Sequence, residues 1–434
     1  MAARLPVYNL QQSRQWMERS ARRIPNCAQT FAKSPLSFVQ NVSPNFLARA
    51  EGAYVWDVDG QRYTDMIMGL GPVILGHADA AVNDAAFRQM QQGMSFSLPS
   101  PVEVELAELL YEIIPCAEMV RFGKNGSDVT AAAVRVARAF TNRDKIARCG
   151  YHGWQDWFVG STSRNRGVPE AVRRLTLRFP YNDLDGLARL FREHHQEIAC
   201  VIMEPVVLDS PHAGYLEAVR EMCHRDGALL VFDEVVTGFR VGLGGAQEHF
   251  GVTPDIACFG KAMGNGFPIS AIAGRADVMQ LFEEVFFSFT HGGEAASIAA
   301  AIATIKELRR QDGFGTLWRI GKRLQAGTND LLREFGLGDH ICCAGLAPRT
   351  GFTFSGSAPG GSQALRSLFQ QECIRRGILT HGNHMLSLAH TDAIVDDALR
   401  TYREVFAVLA DAIDGGDVAA RLEGEPLQTV IRDL

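Results

Sequence analysis

Short apolar runs alternate along the chain with segments whose apolar residues recur at helical spacing. The strand-like runs lie at 145–150, 198–207, 228–235, 255–261 and 270–274. Alternation of this kind predicts an α/β domain in which a mainly parallel sheet has helices on both faces. The run 228–235, ALLVFDEV, is the most hydrophobic, and Gly227 is placed to end the helix before it.

The two ends of the chain carry a different pattern. Residues 9–24 predict an amphipathic helix, and 46–66 predict two strands around a tight turn at Asp59-Gly60. Beyond a long helical stretch near residue 300, two further strands are expected at 351–356 and 385–390, and a terminal helix follows. We therefore expect the N- and C-terminal segments to join in a second, smaller α+β domain.

The pattern divides the chain into three parts. Residues 1–65 are the N-terminal segment of the small domain, 66–325 form the large domain, and 326–434 are the C-terminal part of the small domain. A chain of 434 residues is too long for one ordinary core, which agrees with more than one domain.

Composition and charge exclude several classes of protein. The net charge of −6 provides no basic surface for nucleic acid, and no apolar run approaches the length of a membrane span. The first residues contain no continuous apolar segment typical of a signal peptide. The nine cysteines include no CxxC pair and no framework spacing, so neither a zinc site nor disulfides are expected. These features favour a cytoplasmic protein without a metal.

Polar residues follow several of the predicted strands. Gly126-Ser127 comes after a short strand and opens a helix, where backbone N–H groups favour an anion such as phosphate. The alternative is an ordinary helix cap by Ser127 or Asp128 without a ligand. Glu204 and Asp233 each follow a fully apolar run, and a buried carboxylate there needs a partner.

Lys261 ends a buried-looking strand inside a loop that is rich in glycine. A desolvated lysine has a lowered pKa and becomes a nucleophile for carbonyls. Pyridoxal phosphate needs such an amine, an acid for its ring nitrogen, a phosphate site and a flat surface for its ring. The chain offers candidates for all four, in Lys261, Asp233, Gly126-Ser127 and Tyr151. Each residue alone has an ordinary structural explanation, but the set is much more specific.

At this point the sequence resembles a known family. From about residue 10 to 410 it is similar to class III, fold type I aminotransferases that use pyridoxal phosphate, and within them to the branch of glutamate-1-semialdehyde aminomutase. The stretches that carry the resemblance are AEGAYVWDVDGQRYTDM, GPVILGH, MLSLAHTD and, most specifically, FDEVVTGFRVGLGGAQEHFGVTPDIACFGKAMGNGFP. The resemblance implies a large domain with a seven-stranded type of sheet.

The resemblance also implies roles for individual residues. It makes Lys261 the lysine that forms the Schiff base and general acid–base, and Asp233 the partner of the pyridine nitrogen. Further matches to family positions are Gly126 and Ser127 at the phosphate, Tyr151 and Val235 against the two ring faces, His152 and Glu204 near the cofactor, and Thr290 reaching the phosphate of a neighbouring subunit. This last match implies a homodimer with shared active sites.

The chain departs from the aminomutase pattern where the substrate would bind. Residues 24–38, IPNCAQTFAKSPLSF, lack the arginine that meets the substrate carboxylate in the aminomutase. Leu70, Val236 and Asp209 also replace residues of the family pattern. The segment AQTFAK resembles members that act on sugars and polysaccharides. Equally, Gln29, Thr30 and Lys33 could form only a loop between domains.

We therefore expect an aminotransferase that moves an amino group, from glutamate as the donor, to an aldehyde or ketone acceptor. The acceptor is expected to be an oxidised sugar or related polyol. Alternatives are an aminomutase, a transaminase of small ketones or amino acids, and, remotely, a pyridoxal-fold protein that has lost catalysis. A dehydrogenase does not fit, because no GxGxxG motif opens a helix after the first strand.

Overall fold

The structure is a computed structural model that describes residues 9–428. Contacts divide these residues into two compact units, one formed by 80–314 and the other by 9–79 together with 315–428. The outermost residues of the predicted small domain, 1–8 and 429–434, lie outside the described residues. Within residues 9–428, no helix combines the length and the apolar character that crossing a membrane requires.

The strands are numbered in chain order. They are β1 Leu47–Glu51, β2 Tyr54–Asp57, β3 Arg62–Asp65, β4 Met119–Gly123, β5 Lys145–Cys149, β6 Thr176–Arg178, β7 Ile198–Met203, β8 Leu229–Asp233, β9 Ile256–Phe259, β10 Ser270–Gly274, β11 Ile341–Leu346, β12 Arg349–Phe354, β13 Ile378–Leu379 and β14 Asn383–Met385. The apolar runs of the sequence thus become strands of four to six residues in the middle of the chain.

The α-helices are numbered in the same way. They are α1 Gln11–Ala21, α2 Ala80–Gln92, α3 Pro101–Ile113, α4 Gly126–Thr141, α5 Asp156–Val159, α6 Glu170–Arg173, α7 Leu184–Glu193, α8 Tyr215–Asp226, α9 Ala246–Phe250, α10 Ala276–Met279, α11 Ala295–Arg310, α12 Gly313–Glu334, α13 Gly361–Arg375 and α14 Asp392–Asp414. Gly227 has a positive φ of 73° and ends α8, as its position predicts.

The larger unit contains a seven-stranded sheet with the order β4-β10-β9-β8-β7-β5-β6. Six strands run parallel and β10 runs antiparallel to both of its neighbours. Every residue of β7, β8 and β9 is buried, which explains why these strands read as unbroken apolar runs. The fold class predicted from the sequence is confirmed.

Because six strands of this sheet run parallel, their carboxyl ends all lie at one edge. The last residues of β4, β5, β7, β8 and β9 therefore precede loops that meet at that edge. Helix α4 packs on the sheet with a continuous apolar face that includes Val129, Ala133 and Val136. The helix thus has its N-terminus fixed at the edge where ligands bind in this class of fold.

The smaller unit contains two sheets formed by strands from the two ends of the chain. Its four-stranded sheet has the order β1-β2-β3-β13, in which β13 pairs parallel to β3, and a three-stranded sheet has the order β11-β12-β14. The joining of N- and C-terminal segments is as predicted. The turn between β2 and β3 is also as predicted, with Gly60 at a φ of 88° and the Asp57 carboxylate accepting the N–H groups of Asp59 and Gln61.

Two strand predictions differ from the structure. Residues 46–66 form three strands rather than two, because Gly52, with a φ of 56°, turns the chain between β1 and β2. The predicted strand at 385–390 ends already at Met385. There the Ser387 N–H donates to Nδ1 of His390, 3.1 Å away, and such a local side-chain bond replaces a strand ladder.

A buried histidine joins elements of the smaller unit. Nδ1 of His384 lies 2.7 Å from the Thr350 hydroxyl, and Nε2 lies 2.8 Å from the Tyr402 hydroxyl. Burial, together with the nearby His390, lowers the pKa of His384 from 6.5 to about 3. The ring is therefore neutral in the folded protein at pH values where the unfolded chain would take up a proton.

This difference predicts a loss of stability in mild acid. The contribution of His384 is fully present above pH 6.5 and is lost as the pH falls toward 3. Between pH 7 and pH 5 the unfolding free energy should fall by about 2 kcal/mol more in the wild type than in His384→Gln. Urea unfolding at both pH values measures this, with the exposed His212→Gln as control. Equal losses in wild type and His384→Gln would contradict the prediction.

Candidate active site

Helix α4 has its own N-cap, and two backbone N–H groups of its first turn remain available as donors. The cap is Asn125, not Ser127 or Asp128, and its side chain accepts from the Asp128 N–H at 3.3 Å. The Asp128 carboxylate in turn accepts from the N–H groups of Lys124 and Asn125. In the described chain, the N–H groups of Gly126 and Ser127 donate to no acceptor. These two groups and the helix dipole suit an anion such as phosphate.

Close packing explains why glycine stands at two positions beside this helix terminus. A Cβ atom on Gly126 would lie 3.0 Å from Cγ1 of the buried Val235. A Cβ atom on Gly153 would lie 2.1 Å from the Ser127 Oγ, and Gly153 also has a φ of 108°. The Ser127 Oγ accepts from the Trp154 N–H at 3.2 Å, which ties the helix to the loop after β5. Gly126 and Gly153 thus allow a close approach that a side chain at either position would prevent.

Asp233, the last residue of β8, has the buried partner that its position requires. Its Oδ2 lies 2.8 Å from Nδ1 of His152, and both side chains are at least 95% buried. The other ring nitrogen, Nε2, lies 3.0 Å from the Cys149 carbonyl oxygen, which only accepts, so Nε2 carries a hydrogen. The contact with Asp233 then holds one further proton. The Asp233 Oδ1 accepts from the Val235 N–H, which fixes the carboxyl group from both sides.

Glu204 holds the backbone that presents Tyr151. Its Oε1 accepts the Tyr151 N–H at 2.8 Å, and a Cβ atom on Gly150 would lie 2.8 Å from the same oxygen. Tyr151 itself remains 44% exposed. Partial burial, and the negative charges of Asp233 and Glu204, raise the pKa of Tyr151, so its phenol stays neutral. An uncharged aromatic surface therefore lies beside the two carboxyl groups.

Lys261 follows β9 after a single residue, Gly260, and begins a short 3-10 helix, Lys261–Gly264. Its φ of 41° lies in the left-handed region, which a lysine adopts only when its surroundings impose it. The strand register pairs Asp233 with Cys258 on β9, so Lys261 lies three residues beyond the level of Asp233. A strained backbone at this edge is a feature of functional positions.

One candidate residue lies apart from the others. Thr290 is exposed, on the segment that connects the 3-10 helix Gln280–Glu283 to α11, and it makes no hydrogen bond to the other candidate residues within the described chain. The role implied for it, contact with a neighbouring subunit, stays a prediction.

Sequence reasoning passed over a fully buried acid next to Asp233. The Glu234 carboxylate accepts from the Thr237 hydroxyl and from the N–H groups of Ala246 and Gln247, and burial raises its pKa. Glu234 therefore fixes the loop between β8 and α9. Two adjacent acids after an apolar strand were the signal in the sequence, since one of them had to serve the fold.

The groups at this edge fit pyridoxal phosphate. Two unused N–H donors at a helix terminus suit its phosphate, and the Asp233 carboxyl group suits the nitrogen of its ring. The space left by Gly126 lies against Val235, and the Tyr151 ring lies near Asp233. In the described residues, no group of three or more His, Cys, Asp or Glu is placed to hold a metal.

The packing around Gly126 makes a specific prediction. Gly126→Ala should weaken the binding of pyridoxal phosphate, because the new methyl group would meet Val235 at 3.0 Å and narrow the space at the helix terminus. The double variant Gly126→Ala with Val235→Ala should recover part of the loss. Equilibrium dialysis of the apoprotein measures both. Unchanged affinity in Gly126→Ala would mean that the phosphate binds elsewhere.

Comparison with known proteins identifies the family of this chain. Residues 38–345 match the family model of class III aminotransferases. The chain is 36% identical to a 3-aminobutyryl-CoA aminotransferase of Cloacimonas acidaminovorans, over 86% of this chain and 92% of that protein. It is 37% identical to a glutamate-1-semialdehyde 2,1-aminomutase of Roseiflexus castenholzii, over 87% and 92%.

A solved structure extends the agreement to the fold and the cofactor. The FumI protein of Sphingopyxis sp. MTA144, determined with pyridoxal phosphate, superposes with a TM-score of 0.86 at 29% identity, over 96% of this chain and 98% of that one. The chain therefore belongs to the class III aminotransferases and is a pyridoxal-phosphate-dependent enzyme.

Proposed function

We propose that the enzyme transfers an amino group from glutamate to an aldehyde or ketone whose reacting end carries no free carboxylate. The observation that carries the proposal is the buried Asp233–His152 pair at the strand edge where Lys261 and the N-terminus of α4 also lie. A carboxylate for the ring nitrogen, an amine and an anion site are the groups that transamination requires.

Each residue has a part in this proposal. Pyridoxal phosphate, when bound, supplies a carbon that exchanges one amine for another and a ring that accepts an electron pair. The N–H groups of Gly126 and Ser127 would hold its phosphate, and the Asp233 carboxyl group would keep its ring nitrogen protonated. Tyr151 and Val235 would lie against the ring faces. His152 and Glu204 act on these groups through Asp233 and the Tyr151 backbone.

Lys261 has the chemical role in the proposal. Its Nζ amine would hold the cofactor and, when free, would act as the base and acid that moves a proton at the carbon bearing the substrate amino group. The short 3-10 helix Lys261–Gly264 sets where its side chain starts.

The acceptor is proposed from the segment 24–38. It contains no arginine. Gln29 and Thr30 are exposed between two short 3-10 helices, and Lys33, also exposed, is the last residue of the second, Phe31–Lys33. Because this segment offers no guanidinium to bind an acceptor carboxylate, we propose a neutral carbonyl compound such as an oxidised sugar or polyol as the acceptor. The relative that acts on a 3-aminobutyryl-CoA offers a second candidate, a 3-oxoacyl thioester, whose acyl end is also uncharged.

Stepwise absorbance measurements test the reaction and its acceptor. Glutamate should bleach the visible band of the bound cofactor, and the true acceptor should restore it. An oxidised sugar, a 3-oxoacyl thioester and a small 2-oxo acid form the panel. Restoration by the 2-oxo acid alone would contradict a neutral acceptor. Isomerisation of a single amino-aldehyde substrate without a second substrate would favour an aminomutase, which the Roseiflexus relative represents.

Two variants test the residues. Lys261→Ala should abolish turnover, because no other amine is proposed to move the proton. Asp233→Asn keeps the shape of the side chain but not its charge, and should lower turnover by about 100-fold or more, since the ring would no longer be held protonated. Steady-state rates with the best pair of substrates measure both. Turnover in Lys261→Ala above the uncatalysed rate would remove Lys261 from its role.

We also propose that the enzyme is a homodimer. The larger unit exposes a set of large apolar side chains on α2, α3 and the segments at 93–100 and 286–289, namely Phe87, Met90, Met94, Phe96, Leu98, Val104, Tyr111, Phe286 and Phe289. Thr290 directly follows this set in the chain. A second copy that covers these side chains would remove them from water and would explain the role implied for Thr290.

The dimer proposal predicts a charge-sensitive surface. Leu98 is 79% exposed, so Leu98→Glu should not disturb the fold of a monomer. In a twofold dimer the same change would place two charges in the interface and should prevent association. Light scattering during size-exclusion chromatography should show a dimer for the wild type and monomer for Leu98→Glu. Phe140→Glu, an equally charged change at an exposed phenylalanine outside the set, is the control. A monomeric wild type would contradict the proposal.

A further inference from the structure

One buried charge in the larger unit has no part in the site as described so far. Arg148 lies on β5, three residues before Tyr151, and its side chain is fully buried. Within residues 9–428 no carboxylate pairs with it. Burial lowers its pKa to about 10, which leaves it charged at neutral pH. A buried guanidinium without an acid partner destabilises a protein unless its hydrogen bonds compensate, so its contacts call for an explanation.

The guanidinium joins the two ends of the loop that follows β5. Its Nη1 donates to the Gly150 carbonyl oxygen at 3.2 Å. At the other end of the loop, Nη2 donates to the Ser161 carbonyl oxygen and Nε to the Ser161 hydroxyl, both at 3.1 Å. The planar, rigid arrangement of these donors fixes both ends together. The loop so closed, residues 150–161, contains Tyr151 and His152.

A second contact leads from the same guanidinium to the two site rings. The Arg148 guanidinium carbon lies 5.1 Å from the ring centre of Phe158, which is fully buried. Phe158 in turn meets the Tyr151 ring edge-on, at 5.4 Å and 81°, and the His152 ring at 5.5 Å and 77°. The orientation of both rings therefore depends on Phe158, which packs between them and Arg148.

We propose that Arg148 is a positioning residue for the cofactor, which fixes Tyr151 and His152 through the Gly150 carbonyl group and the Phe158 ring. This inference rests on the proposed function of that site. Arg148 does not touch the Asp233–His152 pair itself. It acts because Tyr151 follows Gly150 directly and His152 is the next residue, so a rotation at Gly150 moves both side chains.

The chain offers variants that separate positioning from stability. Arg148→Met fills the space without a charge, and Arg148→Lys keeps the charge but cannot bridge Gly150 and Ser161. Arg148→Met removes the cost of burying a charge but also removes the hydrogen bonds to Gly150 and Ser161, and these two effects oppose each other. We therefore expect the urea midpoint of the Arg148→Met apoprotein to change little. Arg138→Met is the matched control, because Arg138 is also desolvated and also donates to a backbone carbonyl, that of Asp144.

The measurements are the binding of pyridoxal phosphate to the apoprotein, the pH at which the visible absorbance of the holoprotein changes, and turnover. Both Arg148 variants should bind the cofactor more weakly and show a different pH midpoint of the visible absorbance. Their turnover should fall by about 100-fold, because a small displacement of the site residues has an effect of that size. Arg138→Met should change none of the three. Quenching of tryptophan fluorescence reports binding directly, since Trp154 and Trp157 lie in the loop.

The outcomes distinguish this inference from the proposed function. If Arg148→Met and Arg148→Lys bind the cofactor and titrate like the wild type, Arg148 has no positioning role, although the proposed function stands. If Arg148→Lys behaves like the wild type while Arg148→Met does not, the charge matters and the bridge does not, which also overturns the inference. If the wild type binds no pyridoxal phosphate, the proposed function itself fails.

Discussion

The site depends on the hydrogen bond between Asp233 and His152. A carboxyl group at the end of an apolar strand, buried among other apolar strands, is costly unless a partner holds it. His152 supplies the partner, and the Cys149 carbonyl fixes which nitrogen of the ring faces away from Asp233. The pair therefore needs the loop after β5 in one conformation. That requirement links the sheet, the loop and the chemistry.

In the same loop, glycine residues allow close contacts and polar side chains hold the backbone. Gly150 and Gly153 take backbone angles and close contacts that a side chain would prevent, beside Glu204 and Ser127 respectively. Glu204 and Ser127 then hold backbone N–H groups of the loop. Positioning of the aromatic ring and the histidine thus comes from the residue directly after β7 and from α4 as much as from the loop itself. A site built on fixed elements keeps its geometry better than one built on a free loop.

Much of this arrangement could be predicted from the sequence. Unbroken apolar runs such as that ending in Asp233 predicted the parallel sheet, and the order of its strands brought the candidate residues to one edge. The cap of α4 was missed because Ser127 and Asn125 have similar preferences and only the backbone angles distinguish them. The strand expected at 385–390 was wrong, because the local bond from Ser387 to His390 replaces a ladder. Arg148 and Glu234 act through contacts distant in sequence, which no local pattern reveals.

The most direct test of the account is to locate the lysine that bonds to the cofactor. The holoenzyme is reduced with borohydride, which makes a lysine–cofactor bond permanent, and is then digested with trypsin and analysed by mass spectrometry. The account predicts the cofactor mass on one peptide, residues 241–275, left uncleaved at Lys261. A modification at another lysine, for example Lys124, or at none, would contradict the central claim.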